Sequence, residues 1–339
     1  MGARTIGIPK ALLYYRYGVL WKTFFEELGL AVAVSPDTDR AMLEAGDAAS
    51  IDECCLASKV YCGHVRWLIG ACDAVFVPAF ASGNPRCGFC TKYQSLPDMV
   101  RNAFRDQLAE AGCEVLSLFV PDASKPKKVR EAYLGLAASL GATPRLAMCA
   151  YKRALQAQRA ADGAKAQAQA ESLRLIDQLK RVVAAGGDAG VSDIEADRAP
   201  MPILVVAHPY VSHDAYVAGE VVRGIEEAGG FVLFADETDH RRACKRSFEF
   251  SDTLPWEMNR ELVGSILELQ GDVAGVVVLS AFPCGPDSLF ADALVRGLRD
   301  VPILRLVLDA QSGSAGVQTR IESFMDILQY QAKGGYLHG

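Results

Sequence analysis

The chain has 339 residues, a mean hydropathy of +0.13 and a formal net charge of −6. That length can bury one large core or two ordinary ones, and two domains are the expectation. The acidic balance argues against a nucleic-acid surface, which draws on clustered Lys and Arg.

Met1 to Lys10 has no apolar run of signal-peptide length, and nothing later offers the roughly 18 uninterrupted apolar residues of a membrane span. A cytoplasmic protein with no membrane contact is expected. In a reducing compartment ten cysteines are not a disulfide framework, so they are core residues, reactive thiols or ligands.

Short β-branched runs alternate with longer amphipathic stretches, the pattern of β-α-β units. Strands are expected at Thr5–Ile8, Ala31–Ser35, Ala74–Val77 and Val115–Val120. Pro144 to Ala185, rich in Ala, Gln, Lys and Arg, reads as one or two helices interrupted near Gly163, with Leu173, Ile176, Leu179 and Val183 on one face. Gly186 to Pro202 reads as a loop. Strands resume at Ile203–Ala207, Phe231–Ala235, Val273–Leu279 and Ile303–Leu308. The expected fold class is α/β, with two similar Rossmann-like or flavodoxin-like domains, mostly parallel sheets and a helical linker. The first domain covers 1–142, a connector 143–201 and the second domain 202–339.

Shifting the chain by about 200 positions lays Pro9 on Pro209, Glu26-Glu27 on Glu226-Glu227, Gly29 on Gly229 and Thr38-Asp39 on Thr238-Asp239. An internal duplication is expected. Val77-Pro-Ala-Phe80 matches Leu279-Ser-Ala-Phe282 at nearly the same offset, so the loops carrying Cys90 and Cys284 follow equivalent strands. If the halves face each other, these thiols meet in one cleft.

Three thiol clusters fall beyond strand ends or at helix starts, where open α/β sheets place their chemistry. Cys54-Cys55 follows Asp52-Glu53 at a helix start that would stabilise a thiolate. Two adjacent thiols rarely share one centre, so Cys55 is the candidate ligand. Cys87-Gly-Phe-Cys90 has the spacing for two sulfurs on one metal, but a zinc knuckle usually brings a second such pair, which the chain lacks. Cys284 sits in a Pro-Cys-Gly-Pro turn whose free amides can face an anionic cluster, although a lone cysteine in such a turn is also commonly inert. Three cysteines from three loops would leave one iron of a cubane open to substrate.

Cys62, about two turns beyond Cys55 and roughly 10 Å away, reads as core. Cys72, Cys113 and Cys149 lie in apolar surroundings and read as buried packing. Arg241, Arg242, Lys245 and Arg246 surround Cys244 in what reads as a basic loop, with a solvated face the plainer account.

Several segments carry a family resemblance: Ile6 to Tyr15, Leu20 to Gly29, Asp52-Glu-Cys-Cys-Leu56, Lys59 to Val65, Cys90 to Arg101, Leu279 to Ser288 and Gly316 to Phe324. Together they resemble the acyl-CoA dehydratase activase-related family, related to the cluster-bearing subunits of 2-hydroxyacyl-CoA dehydratases. The resemblance implies a 4Fe-4S cluster on Cys55, Cys90 and Cys284, reduced by an ATP-dependent activase as electron donor. It implies low-potential reduction or radical dehydration of a small molecule or acyl-CoA under anaerobic conditions. The alternatives are a double-cubane 8Fe-9S reductase, using extra thiols such as Cys54, Cys62 or Cys87, and a non-catalytic electron-transfer accessory to a dehydratase or activase. Where the family shows an Asp-Glu-His type sequence with a further Glu, this chain reads Asp309-Ala-Gln-Ser-Gly-Ser-Ala-Gly316; the proline usual after the family's first cysteine is replaced by Ala57.

His208, Tyr210 and Asp309 are the candidate proton-handling residues, with His213 and Asp214 close behind, a satisfied structural histidine being an equally good account of His208. His64 reads as a core or interdomain hydrogen-bonding residue and Asp98 as a helix N-cap. Thr319-Arg320 with Glu322 could bind an anion, an internal salt bridge being the simpler account. No Gly-x-Gly-x-x-Gly follows a predicted first strand, which argues against a nicotinamide enzyme. The apolar content leaves room for a homodimer contact.

Overall fold

A computed structural model describes residues 4–84, 88–184, 201–310 and 314–332. The first half runs β1 (Thr5–Ile8), α1 (Tyr14–Glu27), β2 (Ala31–Val34), α2 (Arg40–Ala48), α3 (Leu56–Leu68), β3 (Ala74–Phe80), α4 (Lys92–Ala103), α5 (Arg105–Ala111), β4 (Glu114–Val120) and α6 (Pro126–Ser139). Helix α7 (Pro144–Ala184) leads to the second half: β5 (Met201–Val206), α8 (Pro209–Ser212), α9 (Ala215–Glu227), β6 (Gly230–Phe234), α10 (His240–Arg246), α11 (Glu257–Leu269), β7 (Gly275–Ala281), α12 (Gly285–Gly297), β8 (Ile303–Leu308) and α13 (Ser314–Ala332).

Each half is a four-stranded parallel sheet, in the orders β2-β1-β3-β4 and β6-β5-β7-β8. The two orders are the same, as a duplicated α/β unit requires. The inner strands β3 and β7 are buried along their whole length, because helices cover both faces of a parallel sheet. In this order the ligand crevice lies where the chain reverses, between β1 and β3 and between β5 and β7.

The repeat extends to local devices. Asp39 and Asp239 each cap a helix, accepting from Met42 N at 2.7 Å and Arg242 N at 2.8 Å. Gly29 and Gly229 follow α1 and α9 with φ of 79° and 84°, a left-handed turn that favours glycine. At Gly63 a Cβ would stand 2.0 Å from the Met42 carbonyl oxygen, and at Gly264 a Cβ would stand 1.8 Å from that of Ala243. The paired helices therefore touch backbone to backbone. Gly264→Ala should cost about 1–3 kcal/mol or more, since α10 and α11 must part. Urea denaturation reads it, and an unchanged midpoint would rule out the close approach.

Several expectations need correction. Strand β3 continues past Pro78 to Phe80. By strand parity Pro78 turns its nitrogen toward β1, whose pairing has already stopped at Val75, so no ladder bond is lost. Pro97 lies inside α4, which makes Asp98 a helical residue paired with Arg101 at 3.1 Å, not an N-cap. The helix is held by burial of Tyr93, Leu96 and Val100 despite the missing donor. Helix α7 is continuous through Gly163: one glycine costs only about 1 kcal/mol among strong helix formers. Its apolar face is used as far as Ile176, while Leu179 is exposed.

Cys149 is exposed on α7, where it faces away from the buried Ala147, Ala150 and Tyr151. The segment around Cys244 is helix α10, not a loop, because Asp239 caps it and Arg242 pairs with Glu268. Arg320 donates to the Arg305 carbonyl at 2.7 Å and Glu322 accepts from Gln318, so no Arg320–Glu322 bridge forms among the described residues. The loop expected from Gly186 lies outside the described residues up to Pro200, and Met201 and Pro202 already belong to β5.

Candidate functional site

The chemistry-bearing residues arrive from strand ends and helix starts. Cys55 is the residue before α3, in extended backbone. Cys90 ends the connection after β3, and its carbonyl accepts from Tyr93 N as α4 begins. Cys284 follows β7 and precedes α12, whose first turn carries Pro286. His208 ends the connection after β5, and Tyr210 lies in α8. Three helices thus begin at the three cysteines, each presenting amides and the positive end of its dipole.

These elements converge on one cavity of about 540 Å³, its open mouth included. Cys55, Cys90 and Cys284 line it together with His208, Tyr210, Tyr93, Phe89, Trp256, Asn259 and Leu12. Main-chain bonds between the halves close its sides: Leu56 N to Phe282 O at 2.8 Å, Gly88 N to Pro255 O at 2.6 Å and Glu257 N to Gly88 O at 2.9 Å. Leu12, at the end of the crevice above β1, has φ of 49°, a left-handed conformation unusual for a branched side chain.

Asp287 is the residue that sequence reasoning missed. It is buried in the first turn of α12, its Oδ1 2.8 Å from His208 Nε2 and accepting from Asn259 Nδ2 at 3.2 Å. Burial works to raise its carboxyl, but His208 outweighs this, with help from Asn259 and the Cys284 thiol, and holds it below the usual range. Burial, and then the neighbouring Asp287 charge, push the Cys284 thiol far up. Burial also raises Cys90. Cys55 Sγ lies 3.3 Å from Ser58 Oγ.

A common spacing underlies these contacts. Ser58, Tyr93 and Asp287 each stand three residues beyond a cysteine, the distance at which the start of a helix brings side chains together. That spacing was the available signal.

The His208 and Tyr210 rings stack at 5.1 Å. Burial raises both Tyr210 and Tyr93 well above the ordinary tyrosine range, so both hydroxyls stay protonated. His208 lines the cavity, and its Nδ1 is buried without a hydrogen-bond partner in the structure. An unmatched polar atom on a cavity wall is what a site for a further group looks like.

Other candidates fall elsewhere. Asp309 is exposed beyond β8, in a separate groove with Leu56, Tyr216, Arg223 and Val317. His213 pairs with Asp236 at 2.8 Å, and Asp214 caps α9. Cys54 and Cys62 are buried, and burial pushes the Cys62 thiol up to about 11. Cys87 lies outside the described residues. No three His, Cys, Asp or Glu side chains among the described residues are placed to hold a single metal ion. No helix among them is long and apolar enough to cross a membrane.

His64 is fully buried in α3 and joins the halves. Its Nδ1 is 2.8 Å from Ser35 Oγ and its Nε2 2.9 Å from Thr38 Oγ1, which donates to Asp214 Oδ2 at 2.5 Å. Since Thr38 spends its hydrogen on Asp214, it accepts from His64 Nε2–H, and Nδ1 accepts from Ser35. His64 is therefore neutral, and Asp214 carries the chain into the second half.

No curated protein matches this chain. Among solved structures, glucosamine-6-phosphate deaminase from Thermotoga maritima is similar at 10% identity over 98% of this chain and 85% of that chain, with a TM-score of 0.19, too low to carry an argument. The family model of the CoA enzyme activase uncharacterised domain (DUF2229) matches residues 5–237, a span that contains Cys55, Cys90, His208 and Tyr210 and ends before Cys284.

Proposed function

The chain belongs to the family of the CoA enzyme activase uncharacterised domain, and from that premise we propose that it is an iron-sulfur protein of the 2-hydroxyacyl-CoA dehydratase type. Cys55, Cys90 and Cys284 would hold a 4Fe-4S cluster between the two sheets. The observation that carries the reading is the convergence of three thiols from three helix starts on one cavity. Soft thiolates are the donors such clusters take. When bound, the cluster would supply low-potential electrons, received from an ATP-dependent activase, for reduction or radical dehydration of a small molecule or acyl-CoA.

The protein's own residues have separable tasks in this scheme. Burial keeps Cys90 and Cys284 as thiols, so loading releases protons as the positive irons stabilise thiolates. The three helix starts favour the resulting negative charge. Asp287 holds the His208 ring through Nε2 and leaves Nδ1 without a partner. His208 and the Tyr210 hydroxyl would hold or pass a proton beside the substrate.

Iron, zinc and acid-labile sulfide on anaerobically purified protein, with electron paramagnetic resonance after reduction, test the reading. About four irons and four sulfides per chain are expected, with most of both lost in Cys55→Ala, Cys90→Ala or Cys284→Ala. Iron and spectrum unchanged in all three variants would end the ligand assignment, and about eight irons would bring in Cys54, Cys62 or Cys87. The placement of Asp309 outside the cavity favours a second reading, an accessory that passes electrons to a dehydratase partner. That reading expects oxidation of the reduced protein by the partner and no turnover alone.

A further inference from the structure

Two thiols that composition would assign to inert packing meet at the opposite end of the first sheet. Cys72 Sγ and Cys113 Sγ are 4.0 Å apart. Cys72 immediately precedes the segment leading into β3 and Cys113 the first residue of β4. The cavity opens at the other ends of these strands, roughly 20 Å away for strands of this length.

The main chains are already joined beside the pair, since Glu114 N donates to Asp73 O at 3.0 Å. Adjacent strands run about 4.8 Å apart, inside the Cα separations a disulfide accepts. Gly7 of β1 makes room: a Cβ there would stand 2.5 Å from Cys72 Sγ. Cys72 is the more exposed of the two, half-buried where Cys113 is buried. We propose that Cys72 and Cys113 are a reversible dithiol, closed to a disulfide by low-molecular-weight disulfides and serving as a staple between β3 and β4.

The exchange balances. The Cys72 sulfur attacks one sulfur of glutathione disulfide, its S–S bond breaks, and the departing glutathione sulfur takes up the proton released by Cys72. The Cys113 sulfur then attacks the Cys72 sulfur of the mixed disulfide, and its proton goes to the second glutathione. Two protein thiols lose two electrons, and one glutathione disulfide becomes two thiols. Burial, and then the Cys113 neighbour, push the Cys72 thiol up to about 12. Closure is therefore slow at neutral pH. The reduced pair gains nothing from a stabilised thiolate, so the disulfide, once formed, resists reduction. The staple encloses the segment that carries Cys90, and it would hold β3 and β4 in register under oxidising conditions.

Anaerobically purified protein is incubated with glutathione disulfide, quenched with an alkylating reagent and mapped by mass spectrometry. A peptide linking Cys72 to Cys113 is expected, with melting raised by roughly 4–10 °C. Cys72→Ser and Cys113→Ser should each lose the link and the thermal shift. Cys72 and Cys113 both still alkylatable, each separately glutathionylated, or the same shift in either variant, would overturn the proposal. Iron content plays no part in this readout, so it stands or falls apart from the cluster.

Discussion

Arg16→Ala is expected to lower the unfolding free energy by about 3–5 kcal/mol. Arg16, on α1 of the first half, forms a two-point pair with Glu261 on α11 of the second, at 2.6 Å for both nitrogen–oxygen contacts. The two side chains are 12% and 9% exposed, so water does little of the work that the partner does. Burial acts to lower the Arg16 guanidinium, but the Glu261 carboxylate outweighs it and holds the group charged. Tyr17 accepts from Arg16 Nε at 3.1 Å, which fixes the fork. Removing the guanidinium strands a buried carboxylate, and that penalty exceeds the net worth of the intact pair.

The pair joins the start of α1 to the helix whose first residues, Met258 and Asn259, line the cysteine cavity. Loss of Arg16 should therefore loosen the site as well as the fold. The double variant Arg16→Met with Glu261→Met should recover most of the loss, because no charge is left buried. Equilibrium urea denaturation of both singles and the double measures the coupling. An Arg16→Ala protein within about 1 kcal/mol of wild type would mean that the ion pair is solvent-screened and does not join the halves.

Acid is expected to weaken the contact between the halves before it attacks the rest of the protein. Burial, and then the Lys10 charge, lower the His64 imidazole to about 4, against smaller raising effects of Asp37 and Asp39. Its partners Ser35 and Thr38 suit the neutral ring, since Nδ1 must accept. As pH falls through the ordinary histidine value near 6.5, the unfolded chain takes up the proton first. His64's contribution is thus complete above about pH 6.5 and is lost progressively toward pH 4, reaching about 3 kcal/mol.

His240, near Arg16 and Glu261, is also lowered to about 4, by burial and then by Arg16, and titrates over the same window. His64→Gln should cost stability at pH 7.5 because the link from Ser35 to Asp214 is broken. It should also remove about half of the wild-type loss between pH 6.5 and 4.5, leaving His240's share. Denaturation at pH 7.5, 5.5 and 4.5 decides it. Equal losses in variant and wild type would show that His64 is not the titrating group.

Much of the architecture was legible in the chain. The eight strands lie where β-branched runs predict them, with ends moved by up to three residues, because alternation of apolar runs is a local property. The offset that matches Thr38-Asp39 with Thr238-Asp239 also predicts two equivalent helix caps, and both form. Proline and glycine were less informative. The strand end expected at Val77, the cap expected at Asp98 and the interruption expected near Gly163 all fall inside elements that run on, since tertiary burial and strand parity outweigh a single missing donor at Pro78 or Pro97 or an entropic cost near 1 kcal/mol at Gly163.

The sequence alone determined the α/β class, the repeated strand pattern and the placement of Cys55, Cys90, Cys284 and His208 at strand ends or helix starts. Those are properties of windows a few residues long. Only the tertiary structure decided which of them share a wall. It put Asp287 on His208, moved Asp309 to another groove, and brought Cys72 to Cys113. Such contacts depend on how two sheets and their helices pack across sequence separations of tens to hundreds of residues, and no local periodicity carries that distance.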